Sequence, residues 1–231
     1  MASRTIVVGD IHGCYDELLE LLEEAKLKQG DRVVAVGDLV AKGPKSRETL
    51  ELFMSDERFT TVIGNHDLSL RRRWNGEDVE LRGAQKETHK ELKGKKDKYL
   101  QFLNTLPFVI DLGTHLVVHA GLRPNVELHS QTTGDLTRLR TLGPDRESDE
   151  GTPWYHVYNG EKIVLFGHWP ASEPRRGPKA IGLDTGCVYG FTLTAYILET
   201  DEFVSVQAKR AYDSRLIRNQ GRRAANSDLW H

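Results

Sequence analysis

The stretch Thr5-Ile6-Val7-Val8-Gly9-Asp10-Ile11-His12-Gly13 decides how the rest of the chain is read. Its first four residues are all β-branched, which favours a strand. No polar residue alternates with them, so the strand is expected to be covered on both faces, as in a parallel sheet. A glycine then permits a sharp turn, and an aspartate and a histidine follow at the strand end. The same grammar recurs four times. Arg32-Val33-Val34-Ala35-Val36 runs into Gly37-Asp38, and Thr60-Thr61-Val62-Ile63 into Gly64-Asn65-His66. Leu116-Val117-Val118 runs into His119, and Ile163-Val164-Leu165-Phe166 into Gly167-His168.

Between these runs lie helical patterns. Residues 15–28 carry Leu18, Leu19, Leu22 and Ala25 on one face, with Glu20, Glu23 and Glu24 opposite. Residues 46–54 space Leu50 and Phe53 helically, with Ser46 placed to cap. Residues 86–106 are helical in character, interrupted at Gly94 and ended by Pro107. Strands are expected again at 181–183, 193–198 and 203–207, and 131–154 is expected to be a long irregular loop. Alternating strands and helices followed by strands argue a layered α/β domain. It is assigned to residues 1–211, with a basic tail or arm at 212–231.

In open α/β sheets, ligands collect beyond the carboxyl ends of the strands. Asp10, His12, Asp38, Asn65, His66, His119 and His168 would therefore meet at one rim. Alone, each has an ordinary explanation as a turn, cap or satisfied core residue. Together they bring several charges into one buried place, which is costly unless a cation offsets them. A divalent metal accepts both imidazole and carboxylate. Asp38 has oxygens enough to serve two cations. Two metals roughly 3.5–4 Å apart are the usual clamp for displacement at phosphorus, and they activate water as the attacking group. His66, beside Asn65, could then protonate the leaving oxygen or hold a phosphate oxygen.

Taken in order, Gly9-Asp10-Ile11-His12-Gly13, Gly37-Asp38, Gly64-Asn65-His66-Asp67, His119-Ala120-Gly121 and Gly167-His168 resemble the motifs of calcineurin-like metallophosphoesterases. Within that superfamily, residues 37–44 and 183–190 resemble the ApaH-like branch, which includes symmetrical dinucleoside-tetraphosphate hydrolases. The resemblance implies a metallophosphoesterase-type sandwich of two β-sheets flanked by helices. It implies Asp10 and His12 as ligands of one metal, Asp38 as the bridge, and Asn65, His119 and His168 as ligands of the second. It implies His66 as proton donor, and two divalent ions, manganese first, with iron or zinc as alternatives. Protein Ser/Thr phosphatases of the superfamily carry an Asp-Arg pair where this chain has Ala41-Lys42. The carboxylate that would orient His66 is therefore missing, and Lys42 keeps a charge but loses the planar fork. This favours cleavage of phosphoanhydrides over a Ser/Thr protein phosphatase or general phosphomonoesterase. All seven positions are filled, which argues against a non-catalytic scaffold.

Lys42, Asn65 and Arg140 are the residues expected to bind phosphate. Arg71, Arg72 and Arg73 read better as a solvated helix face, and Trp74, Trp154 and Trp169 as packing, with Trp169 the best placed of these to stack a base. The 231 residues carry 32 basic and 34 acidic side chains, a formal charge of −2 that excludes a globally basic nucleic-acid coat. Charge is nonetheless uneven: 71–98 holds ten basic and six acidic residues, and 207–231 six and two. Such local excess suits a polyanionic substrate: a nucleotide or polyphosphate, or a capped RNA end. No apolar run reaches the roughly 18 residues of a membrane span. The first residues do not form a signal peptide, and two cysteines, Cys14 and Cys187, are too few for a disulfide framework. A cytoplasmic enzyme without a membrane partner is the expectation.

Overall fold

The structure, a computed structural model, describes residues 3–214. Ten strands form two five-stranded sheets. The strands are β1 Thr5–Val8, β2 Arg32–Ala35, β3 Phe59–Thr61, β4 Val109–Asp111, β5 His115–Val118, β6 Ile163–Phe166, β7 Arg175–Gly177, β8 Ala180–Gly182, β9 Thr192–Ile197 and β10 Glu202–Gln207. The first sheet runs β10-β9-β1-β2-β3 and the second β4-β5-β6-β8-β7. In each, three strands are mutually parallel, β1-β2-β3 and β5-β6-β8, while the remaining strands pair antiparallel. The helices are α1 Tyr15–Glu24, α2 Ser46–Ser55, α3 Asn65–Trp74, α4 Ala84–Leu92, α5 Lys96–Thr105, α6 Thr133–Arg138 and α7 Trp154–Val157.

The unbroken apolar strands are explained by three layers of packing. Val7, Val34, Val117, Leu165 and Ile181 face each other between the sheets. Their neighbours along the strands point the other way. Ile6, Val8, Val33 and Ala35 pack with Leu18, Leu21 and Leu50 of α1 and α2. Leu116, Val118, Val164 and Phe166 pack with Leu136, Trp154 and Tyr155 of α6 and α7. A strand covered on both faces has no side to leave polar.

Several expectations are corrected. The helix expected over 15–28 ends at Glu24, where Lys26 turns left-handed (φ 51°). Ser46 is the first residue of α2 rather than its cap, and its hydroxyl instead accepts from the Ala41 amide at 3.1 Å. Strand β3 leaves its sheet two residues early because the Ile63 amide turns to the Pro107 carbonyl at 2.8 Å. The span expected to be loop contains α6, capped by the Thr132 hydroxyl on the Asp135 amide. Edge strands β4 and β7 are three residues each, too short for a period to show, and β7 is Arg-Arg-Gly. Of the tail, Tyr212 docks onto α1, its hydroxyl donating to Glu17 at 2.7 Å, and residues 215–231 lie outside the described residues. No helix among the described residues is long and apolar enough to cross a membrane.

Leu165 is fully buried in the core between the sheets. Leu165→Ala should lower stability by about 2–5 kcal/mol, read as a lower denaturant midpoint with an unchanged slope.

Candidate metal centre

The parallel strands of both sheets deliver their carboxyl ends to one rim, and there the backbone is forced into uncommon conformations. His12, Asp38, Ala41, Lys42 and His168 all have positive φ, between 50° and 73°. Non-glycine residues adopt this region at a cost of roughly 1–3 kcal/mol each and need surroundings that dictate it. Here the two loops after β1 and β2 are laced together: the His12 amide donates to the Asp38 carbonyl at 2.7 Å, Gly13 to Leu39 at 2.9 Å, and Gly43 to His12 at 2.8 Å. Glycine is required behind the carboxylates. A Cβ on Gly64 would overlap Asp38 Oδ1, and one on Gly167 would overlap Asp10 Oδ1.

Six of the seven expected ligand-type residues converge closely. Asp38 Oδ2 lies 3.5 Å from His12 Nε2 and 3.5 Å from His119 Nε2, so its carboxylate stands between two groups of donors. On one side, Asp10 Oδ2 is 3.8 Å from His12 Nε2. On the other, Asn65 Oδ1 is 2.9 Å from both His119 Nε2 and His168 Nδ1. His66 joins from the start of α3: its amide donates to Asp38 Oδ1 at 2.9 Å, and its ring meets that of His12 edge-on, 5.1 Å between centroids. The rings are aimed by backbone carbonyls: His12 Nδ1 lies 3.1 Å from Val40 O and His119 Nδ1 2.9 Å from Val36 O, which leaves each Nε2 facing inward.

The electrostatics fit a divalent cation. Burial pushes Asp10 well above the usual carboxylate range, helped by Asp184 and Asp38. Burial also lifts Asp38 to about 6 and raises Asp184. The imidazoles move the other way: burial lowers His119 to about 4, and His168 and His66 well below their ordinary value. A neutral imidazole is the metal-donor form, and crowded buried carboxylates without an opposite charge are what a dipositive ion would stabilise as donors. Asp10, Asp38 and His119, and separately His12, Asp38 and His66, each bring donor atoms within 4.8 Å of one another.

The expected substrate residues are placed less uniformly. Lys42 is half-buried at the same rim. Its Nζ lies 2.8 Å from His12 Nε2 and 5.2 Å over the Tyr189 ring. Burial alone would lower its pKa, but Tyr189, Asp38 and Asp184 outweigh that and keep it charged. Arg140 pairs with Asp149 at 2.9 Å and lies 6.0 Å over Trp169, while its buried Nε, like His168 Nε2, has no hydrogen-bond partner among the described residues. Trp74 and Trp154 are core, their indoles donating to His89 and to the Ala120 carbonyl. Trp169 lies between Arg140 and Arg175, the latter 4.4 Å from its ring. Arg72 pairs with Glu77, and Arg71 covers Phe108. Cys14 and Cys187 are buried and free.

Two residues were missed or underused by sequence reasoning. Asp67 accepts from the amides of Leu39, Val40 and Gly64 at 3.1–3.3 Å, so it ties the Asp38 loop to α3. Gln85 brings Nε2 to 3.3 Å from His66 Nδ1. It lies 19 residues downstream on another helix, and no local pattern announces it.

A two-sheet sandwich whose parallel strands present carboxylates and imidazoles around a shared aspartate defines a metal-dependent phosphoesterase. The chain belongs to the calcineurin-like phosphoesterase family, whose pattern matches residues 3–201. It is 29% identical to the bis(5'-nucleosyl)-tetraphosphatase PrpE [asymmetrical] of Bacillus subtilis (strain 168), across 92% of this chain and 98% of that one. It is also 29% identical to the symmetrical bis(5'-nucleosyl)-tetraphosphatase of Vibrio campbellii, across 88% and 98%. A crystal structure described as a candidate diadenosine tetraphosphatase superposes with a TM-score of 0.73 at 32% identity, covering 89% of this chain and 93% of that one. A Ser/Thr phosphatase from Saccharomyces cerevisiae shares the fold alone, at 16% identity and a TM-score of 0.64.

Gly64→Ala and Gly167→Ala should each keep a folded circular-dichroism spectrum yet lose most of the rise in Tm that Mn²⁺ gives the unaltered chain. A full cation-dependent rise in both variants would show that the glycines do not set the carboxylates.

Proposed function

We propose that the chain hydrolyses a phosphoanhydride bond of a dinucleoside polyphosphate, with dinucleoside tetraphosphate as its leading substrate and two divalent ions, manganese first, as cofactors. The observation that carries this reading is the position of Asp38, its carboxylate shared between the His12 side and the His119 side of one buried cluster. The names of the relatives support the substrate class. Asp10, His12 and Asp38 would hold one cation, and Asp38, Asn65, His119 and His168 the other. Such a pair supplies activated water at neutral pH and offsets charge at phosphorus.

The chain's own residues then have separable work. Lys42, half-buried and kept charged, is a point charge for the reacting phosphate. Arg140 has an unpartnered buried Nε and stands near His168, placing it for a neighbouring phosphate. Asn65 and the amide end of α3 add dipoles that favour an anion. His66 faces the same space and donates toward the leaving oxygen. A polyphosphate or a capped RNA end presents the same anhydride and could use the same groups. The nucleotide substrate and the two free thiols support a cytoplasmic location.

The test is a panel of dinucleoside tetraphosphate, long polyphosphate, capped RNA, a phosphopeptide and an aryl phosphate, given to metal-stripped and metal-restored protein. Dinucleoside tetraphosphate should give the highest kcat/KM, and stripping should abolish it. A higher value on the phosphopeptide would overturn the reading. Asp38→Asn should abolish turnover while leaving the fold intact. His66→Ala should lower kcat by about 10²–10³-fold, the range found when one donor to a developing oxyanion is removed.

A further inference from the structure

Ala41 leaves His66 without the carboxylate that could have oriented it, and the nearest acid in sequence cannot substitute. Asp67 already spends its oxygens on the amides of Leu39, Val40 and Gly64. The side chain that does reach the ring comes from α4. Gln85 Nε2 lies 3.3 Å from His66 Nδ1. Which end of this amide faces the imidazole is fixed by its other contact, because Gln85 Oε1 accepts from the Arg82 amide at 3.1 Å. Turning the amide over would set two donors against each other at Arg82 and lose that bond. The nitrogen therefore faces His66, and an amide nitrogen can only donate.

We infer that Gln85 is the positioning residue of His66: its amide donates to Nδ1 and holds the ring with its proton on Nε2, aimed to give a leaving group a hydrogen bond rather than a proton. The inference deepens the reading above and rests on it for the substrate. A carboxylate at this place would do the opposite. It would accept from Nδ1–H and steady the imidazolium, the form that hands over a proton. With an amide donor on Nδ1, full transfer of the Nε2 proton would leave an imidazolate, a far stronger base than a departing phosphate. In anhydride cleavage the bond from water oxygen to phosphorus forms and the bond from phosphorus to the bridging oxygen breaks. The leaving phosphate takes the electron pair, the water proton passes to solvent, and the Nε2 proton stays on His66. A departing phosphate is a weak base, its second pKa being about 6, and a hydrogen bond suffices for it. A departing serine or threonine alkoxide needs a whole proton. Gln85 thus biases the site toward anhydrides and against alkyl phosphomonoesters.

The ring's other neighbours are consistent with this assignment. His12 meets it edge-on, Lys42 is cationic, and Asp38 is engaged by the His66 backbone amide. Among the described residues no carboxylate hydrogen-bonds the ring.

The experiment uses the full chain with ¹⁵N-labelled histidine, metal-stripped and loaded with diamagnetic Zn²⁺, with His66 assigned by the loss of its signals in His66→Ala. Long-range ¹H–¹⁵N correlation should show the Nε2–H tautomer in the unaltered chain and a mixture in Gln85→Ala. Gln85→Glu keeps the acceptor for Arg82 and the size of the side chain, and should move the His66 proton to Nδ1. The same variant should raise the ratio of kcat on an alkyl phosphomonoester to kcat on dinucleoside tetraphosphate by about tenfold or more. Gln85→Ala should lower kcat on the tetraphosphate about 2–10-fold with KM unchanged, the worth of one neutral hydrogen bond. An Nδ1–H tautomer in the unaltered chain overturns the inference, as does an unchanged substrate ratio in Gln85→Glu. If the chain cleaves no anhydride, the substrate reading fails, and the tautomer measurement still decides what Gln85 does.

Discussion

Asp38 carries a buried carboxylate with donors on both sides, and most of the site is arranged around it. Its backbone has a positive φ, its carbonyl takes the His12 amide, and its Oδ1 takes the His66 amide. Its Oδ2 stands 3.5 Å from one imidazole contributed by the first sheet and 3.5 Å from another contributed by the second. A charge so placed is unfavourable unless cations and hydrogen bonds surround it. The fold supplies the bonds by lacing two loops together, and the donor set is the kind that binds the cations.

The two sheets share this burden unequally. The first contributes Asp10, His12 and Asp38 from loops after β1 and β2, and Asn65 from the start of α3 after β3. The second contributes His119 and His168 from the ends of β5 and β6, also adjacent and parallel. Cross-links run between the two groups: the His168 amide donates to Asp10 at 3.1 Å, and His119 Nδ1 is held by the Val36 carbonyl. The core of Val7, Val34, Val117 and Leu165 therefore does more than stabilise, because it sets the distance at which the two halves of the site meet. Gly167 leaves out a side chain that would overlap Asp10 across the two halves, and Gly64 one that would overlap Asp38.

A neutral glutamine in place of a carboxylate changes what the same scaffold can do. The ring of His66 is present in the local pattern Gly64-Asn65-His66-Asp67, but its protonation is decided by whatever touches Nδ1. Substrate preference within one fold can then depend on a residue outside the metal-binding loops altogether.

The sequence by itself determined the buried strands, the seven ligand-type residues at their ends, and the α/β sandwich, because strand burial and ligand chemistry are written in neighbouring residues. It misjudged edges and caps. Strands β4 and β7 are only three residues long, and Ser46 serves a turn rather than its helix end. Only the tertiary structure decided that Lys42 lies against His12, that Asp67 is used up by backbone amides, and that Gln85 reaches His66. Those contacts join residues 19 to 30 positions apart on different elements, and their outcome depends on how helices and loops pack, which local propensity and spacing do not encode.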